Sequence, residues 1–245
     1  MYHNVLPRAV PSLSKHLYVT RAAFEWQMRS LRRGGYTAIS FSQLYAALHD
    51  GEELPKKPVL ITFDDGYKGL VENARPVLNE LAVPYTVFLV SSLVGRSNEW
   101  DRDLGYPELA LMDWDEIQTL EADGLAKFEA HTVTHAHLDQ LNPRDCVDEI
   151  AGSRDAIEAK LGRKLDVFCY PYGHYNDAVR DVVRESGFRM AVTTTMGRVR
   201  ENDGLLDLPR ISIYHVPAVS LTYGLGGPNF WWRVVSNKDK RPVIA

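Results

Sequence analysis

Short apolar runs, many of them β-branched, alternate along the whole chain with stretches whose apolar positions recur every three to four residues. Tyr2 to Val5, Tyr36 to Ile39, Val59 to Phe63 and Tyr85 to Val90 read as strands. So do Ala126 to Ala130, Val167 to Tyr170, Met190 to Thr194 and Ile211 to Tyr214. Between them, Thr20 caps a helix striped by Phe24, Met28 and Leu31 and stopped by Gly34-Gly35. Leu44, Tyr45 and Leu48 mark a second helix. Leu70, Ala74, Val77, Leu78 and Leu81 mark a third, which Pro76 kinks or divides. Trp114, Ile117 and Leu120 stripe a helix ended by Gly124. Asn142-Pro143 opens a long one carrying Cys146, Ile150, Ser153, Ile157 and Leu161, and Val179, Val182 and Val183 mark the last. Repeated strand–helix units predict an α/β protein with a mostly parallel sheet covered on both faces, open or closed into a barrel. The whole of 1–245 reads as one domain, with 91–111 an insertion over one rim. An irregular tail, 219–245, carries Gly224, Gly226-Gly227 and Trp231-Trp232.

Composition narrows the function classes. With 45% hydrophobic and 24% charged side chains, 245 residues bury a sizeable core. A formal charge of −4, with no Lys/Arg cluster beyond a pair, leaves no basic footprint for nucleic acid or anionic lipid. No apolar stretch reaches membrane-spanning length. The opening Met1-Tyr2-His3-Asn4-Val5 lacks the charged and apolar regions of a signal peptide, so the expectation is a cytoplasmic protein, or an exported one whose leader has been trimmed. Cys146, on a helix stripe, and Cys169, inside a strand, read as small buried hydrophobes rather than a disulfide. Trp114 reads as core, and oligomeric state is not legible.

The candidate chemistry follows strands. Val59-Leu60-Ile61-Thr62-Phe63 ends in Asp64-Asp65-Gly66, a turn sequence that also sets two carboxylates at a strand mouth pointing in different directions. His131-Thr132-Val133-Thr134-His135 follows another strand, and Tyr170-Pro171-Tyr172-Gly173 closes a third. Sites in such folds gather at the C-terminal ends of strands, so these loops are expected to converge on one rim. A His-x-x-x-His pair with one carboxylate makes a three-ligand set with positions left for water and substrate. Its N/O donors suit Zn²⁺, with Co²⁺, Mn²⁺, Fe²⁺ or Ni²⁺ as alternatives. His137 is a further candidate, spaced more like a surface residue.

Thr62-Phe63-Asp64-Asp65-Gly66, His131-Thr132-Val133-Thr134-His135 and Tyr170-Pro171-Tyr172-Gly173 resemble, in order, the first three motifs of the polysaccharide deacetylase family, the NodB-homology or carbohydrate esterase family 4 domain. The resemblance covers roughly Tyr2 to His215. It implies a distorted (β/α)₇ barrel that hydrolyses N-acetyl groups of amino sugars with a divalent metal. It assigns Asp65, His131 and His135 to the metal and Asp64 to the general base. The Tyr172 N–H, in a turn fixed by Pro171, is assigned to the oxyanion. An N-acetylated oligo- or polysaccharide is the implied partner.

Two departures accompany the resemblance. The third motif of the family begins with an arginine that orients the base, and Cys169 stands there. Arg210 either reaches in to replace it or lies on the surface. For the general acid, Met1-Tyr2-His3-Asn4 resembles the Tyr-His opening of the exopolysaccharide (poly-N-acetylglucosamine) deacetylase branch, whose motif order is permuted, and His3 is favoured over His215. Trp100, in the rim insertion, either stacks on a sugar or covers the barrel edge. The competing functions are acetyl-ester hydrolysis at the same site, and sugar binding without turnover.

Overall fold

Parallel strands dominate the computed structural model, which describes residues 1–215 and 243–244. One sheet holds six strands in the order β10 (Leu208–Arg210), β9 (Met190–Met196), β8 (Val167–Cys169), β7 (Ala126–Ala130), β6 (Tyr85–Leu89) and β5 (Thr62–Phe63), all parallel. A second places β4 (Pro58–Leu60) between β3 (Thr37–Ala38) and β11 (Val243–Ile244). A third pairs β1 (Asn4–Leu6) with β2 (Tyr18–Thr20). The strand expected at Val59 to Phe63 is thus split around Ile61, each half serving a different sheet. The expected tail is outside the described residues except for β11.

The first two residues join the edges of the curled six-stranded sheet. Tyr2 N–H donates to the Thr62 carbonyl at 2.8 Å, and Asp64 N–H donates to the Tyr2 carbonyl at 2.9 Å. On the other side the Met1 nitrogen donates to the Ile211 carbonyl at 2.8 Å and Ile213 N–H to the Met1 carbonyl at 2.9 Å. The strand expected at Ile211 to Tyr214 is therefore corrected. The regular strand there is β10, three residues earlier, and Ile211 and Ile213 bond through their backbones to Met1 of this inserted segment. Pro209 is admissible in β10 because an edge strand leaves one side free of ladder bonds.

Side chains alternate across the sheet with the two-residue period of strands. Val87, Leu89, Phe128, Ala130 and Phe168 join the cluster shared with the helices, and Phe88, Val167, Cys169, Val192 and Leu208 join a separate inner one. The helices are α1 (Arg21–Arg33), α2 (Phe41–Tyr45), α3 (Arg75–Leu81), α4 (Trp114–Ala122), α5 (Pro143–Leu161) and α6 (Asp177–Glu185). Their starts are those the caps specify: Thr20, Asp113, Asn142 and Asn176 each accept a backbone N–H through the side chain. The third predicted helix is two pieces. A π-helical stretch, Leu70–Ala74, precedes α3, and Pro76, which has no N–H to give, sits in the first turn of α3. Among the described residues no helix is long and apolar enough to cross a membrane.

One buried acid repairs the sheet. The β7–β8 pairing has the single register pair Ala130 to Phe168, and Glu129 Oε2 accepts the N–H groups of Asp166 and Val167 at 3.0 and 2.8 Å, while Oε1 accepts from Arg163 at 3.2 Å. Glu129→Ala would orphan the Asp166 and Val167 N–H groups, each worth about 1–3 kcal/mol when left unpaired in the interior, while Arg163 keeps Glu121 and two backbone carbonyls. We expect Tm to fall by roughly 5–10 °C in a thermal melt.

Candidate metal centre at the strand mouths

Asp64 and Asp65 leave the end of β5 in different directions, and left-handed backbone at Asp65 (φ 73°) turns the chain between them and Gly66. Among the described residues six non-glycine residues have positive φ. Four of them, Asp65, Thr132, His135 and Tyr172, stand in the three loops expected to converge. Thr132 is β-branched, so its φ of 67° is costly and must be held by its surroundings. The holding groups are visible. Glu149 of α5 accepts the N–H groups of Val133 and Thr134 at 2.9 Å each and the Thr134 hydroxyl at 2.6 Å. Thr132 Oγ1 takes the His135 N–H at 2.9 Å. Gly173 is required in the third loop, since a Cβ there would lie 2.6 Å from the Thr194 nitrogen.

The loops bring Asp65, His131 and His135 together. Asp65 Oδ1 is 3.4 Å from Nε2 of both imidazoles, and all three residues are buried. It has no hydrogen-bond partner among the described residues. A buried carboxylate oxygen without a donor is costly unless something else fills the gap. Donors about 2.0–2.1 Å from a tetrahedral ion stand about 3.4 Å apart, so the two distances from Asp65 Oδ1 match those a Zn²⁺ ion requires, and the three ligand atoms all lie within 4.8 Å of one another. The residues fit a metal in protonation state too. His131 Nδ1 lies 2.8 Å from the Cys169 carbonyl, which can only accept, so that nitrogen carries a proton; against the opposing effect of burial, Cys169 and Asp65 beside the ring raise its pKa, and an ion would displace the second proton from Nε2. Burial presses the His135 imidazole down to about 3, keeping it neutral, and its Nδ1 meets the Tyr172 hydroxyl at 3.1 Å.

Asp64 is held apart from the triangle. Arg210, fully buried, grips it with two parallel bonds, Nη1 to Oδ1 at 2.7 Å and Nη2 to Oδ2 at 2.8 Å. The guanidinium is itself aimed by the Thr193 carbonyl at 2.8 Å and touches Cys169 Sγ at 3.2 Å. Burial alone would favour the protonated acid, but the Arg210 charge and these bonds prevail, and Asp64 is held well below the usual carboxylate range. Burial also raises the Cys169 thiol, so the small residue at the third-motif position leaves room for Arg210 without adding charge.

The remaining candidates separate. His3 follows the residue bridged to Phe63 and lies within electrostatic reach of Asp64, Asp65, Asp101 and His135, and its Nδ1 is buried without a partner among the described residues. His215 is not brought to these groups. It stacks on Tyr18 with ring centroids 4.9 Å apart, and burial alone lowers its pKa. Trp100 arrives from the rim segment on a short 3₁₀ turn, Glu99–Leu104, and stacks on His135 at 4.6 Å, so one of its faces backs an imidazole. Tyr172, exposed at the rim, stacks on His137 at 3.9 Å. Tyr67 and Asp101 were not singled out by the sequence. They are buried beside the triangle, and the one signal for them is their position in segments following strands.

Comparison with known proteins decides the family. A model described as polysaccharide deacetylase matches residues 51–191, more than half of the chain. The chain belongs to the polysaccharide deacetylase family. This family member is 24% identical over 207 residues to the poly-beta-1,6-N-acetyl-D-glucosamine N-deacetylase of Staphylococcus aureus, covering 81% of this chain and 69% of that one. The structure of IcaB from Ammonifex degensii superposes with a TM-score of 0.78 at 25% identity, over 96% of this chain and 93% of that one. The Streptococcus pyogenes deacetylase PplD, solved in complex with acetate, gives 0.77 at 25% identity over 96% of each. The expected distorted barrel is the fold these neighbours share with this deacetylase-family chain.

Proposed function

We propose that this protein is a divalent-metal-dependent hydrolase that removes N-acetyl groups from an oligo- or polysaccharide, releasing acetate and a free amine. The observation that carries the reading is the buried triangle of Asp65, His131 and His135 around an orphaned carboxylate oxygen, with Asp64 kept outside it by Arg210. Zn²⁺ suits this donor set best, with Co²⁺, Mn²⁺, Fe²⁺ or Ni²⁺ as alternatives. Bound there, the metal would acidify a water and polarise the acetamide carbonyl.

The chain's own residues take the proton and orient the substrate. Arg210 uses one lone pair on each Asp64 oxygen and the Cys169 thiol donates to Oδ2 at 3.7 Å, which leaves a lone pair on Oδ1 for the proton of the attacking water. Asp64 is a weak base at its depressed pKa, and an acidified water compensates for that weakness. The Tyr172 N–H, in the turn begun by Pro171, is assigned to the developing oxyanion. His3 is assigned to protonate the leaving amine, supported by the backbone bonds that fix residue 2 against Thr62 and Asp64. Trp100 and Tyr172 supply aromatic surface for a sugar ring. The likeness to the S. aureus enzyme supports a poly-N-acetylglucosamine type of substrate.

Two measurements test these assignments. Acetate release should be faster from N-acetylglucosamine oligomers than from simple acetate esters at equal concentration. A clear ester preference, or no release from any acetylated glycan, would overturn the substrate class. His3→Ala should lower kcat by about 10²–10³-fold, the scale of a lost general acid, while His215→Ala stays within about threefold of the parent. The reverse outcome would move the acid to His215.

A further inference from the structure

A second cluster of metal-type donors lies on the same rim. His137 and Asp139 follow the second motif, and His174 follows the third. One ligand atom from each lies within 4.8 Å of the others. His137 is half-buried and the other two are exposed, so an ion would reach the cluster from solvent. His137 Nδ1 is buried and has no hydrogen-bond partner among the described residues. The His137 and His174 rings stand 5.9 Å apart at 36°, and Tyr172 is stacked on His137 at 5°. Two imidazoles and one carboxylate form the donor type that late first-row divalent ions favour over Mg²⁺ or Ca²⁺, and solvent can complete the coordination.

We propose that His137, Asp139 and His174 bind a second divalent cation, Zn²⁺, Ni²⁺ or Cu²⁺, at the rim and separate from the buried triangle. Bound there, the ion would tie the loop after β7 to the loop after β8. Those loops flank Tyr172, whose hydroxyl meets His135. The rim ion would be held more weakly than the buried one, because two of its three donors, Asp139 and His174, are exposed and not pre-oriented by burial.

The test counts ions directly and does not depend on turnover. Full-length protein is dialysed to equilibrium against excess Zn²⁺, and bound metal is measured by elemental analysis. The parent should retain two equivalents, Asp65→Asn one, His174→Ala one, and the double variant none. Dialysis against excess Mg²⁺ should leave the rim site empty in all four. If His174→Ala and its parent retain the same number of ions, in either background, the rim site is overturned. The same holds if the single ion of Asp65→Asn survives His174→Ala. A folded melt for each variant keeps the count meaningful, and His174 takes no part in the site assigned to catalysis.

Discussion

Asp64→Asn should lower acetate release by about 10³-fold or more while the protein still binds zinc at the buried triangle. A general base is worth about 10²–10⁴-fold, and an amide in its place cannot take a proton at neutral pH. The substitution has a second consequence that must be read alongside. Arg210 is fully buried and both of its parallel bonds end on Asp64, so Asn leaves a guanidinium without its counter-charge. Breaking a buried pair from one side costs about 3–5 kcal/mol. A lower Tm is therefore part of the expectation, and assays belong at a temperature where the variant is folded by circular dichroism. A folded, zinc-binding variant within tenfold of the parent rate would remove Asp64 from the role of base. Arg210→Met should melt lower by a similar amount, for the same reason seen from the other side.

Metal removal is the second large effect. Chelator-treated protein should release no acetate, and titration with Zn²⁺ should restore release with one tight equivalent. Binding also stabilises by RT ln(1 + [L]/Kd), about 4 kcal/mol at a thousandfold excess over Kd, which for a chain of this size raises Tm by roughly 8–16 °C. Asp65→Asn separates this from a general effect of ions on stability. Asn tolerates left-handed backbone, so the turn at Asp65 is kept while a ligand is lost. The metal-free variant should melt below metal-free parent, because against burial the imidazoles of His131 and His135 favour the ionised Asp65 carboxylate, and that interaction is lost. It should not gain the tight-ion shift in Tm and should not release acetate. An equal zinc-induced shift in both proteins would place the ion elsewhere.

How much of this was legible in the chain depends on the range of the physics involved. Helix starts are local, and Thr20, Asn142 and the stripes behind them announce their helices because a cap and its N–H lie three residues apart. The three loops with candidate ligands were also legible, since strand ends and turn residues are local signals. What escaped is long-range. The strand Tyr18–Thr20 is too short to have a period and exists because it pairs with β1. The strand at Leu208–Arg210 was passed over for Ile211 to Tyr214, because Pro and Arg are poor strand signals and the following residues alternate well. Its Arg210 had two readings from sequence, and only the fold brings it across 146 residues to Asp64. Tyr67 and Asp101 escaped because a tyrosine and an aspartate in rim segments have no spacing that marks them.

The first two residues act as a slide fastener between the margins of the sheet. Hydrogen exchange at the amides of Tyr2, Asp64 and Ile213 should therefore report one shared opening, slower than the exchange of exposed turns. Each such opening carries His3 away from the carboxylates, so breathing of the closure and interruption of the proposed proton delivery are a single event. Substitutions that loosen residues 1–2 should thus slow turnover before any global unfolding is visible.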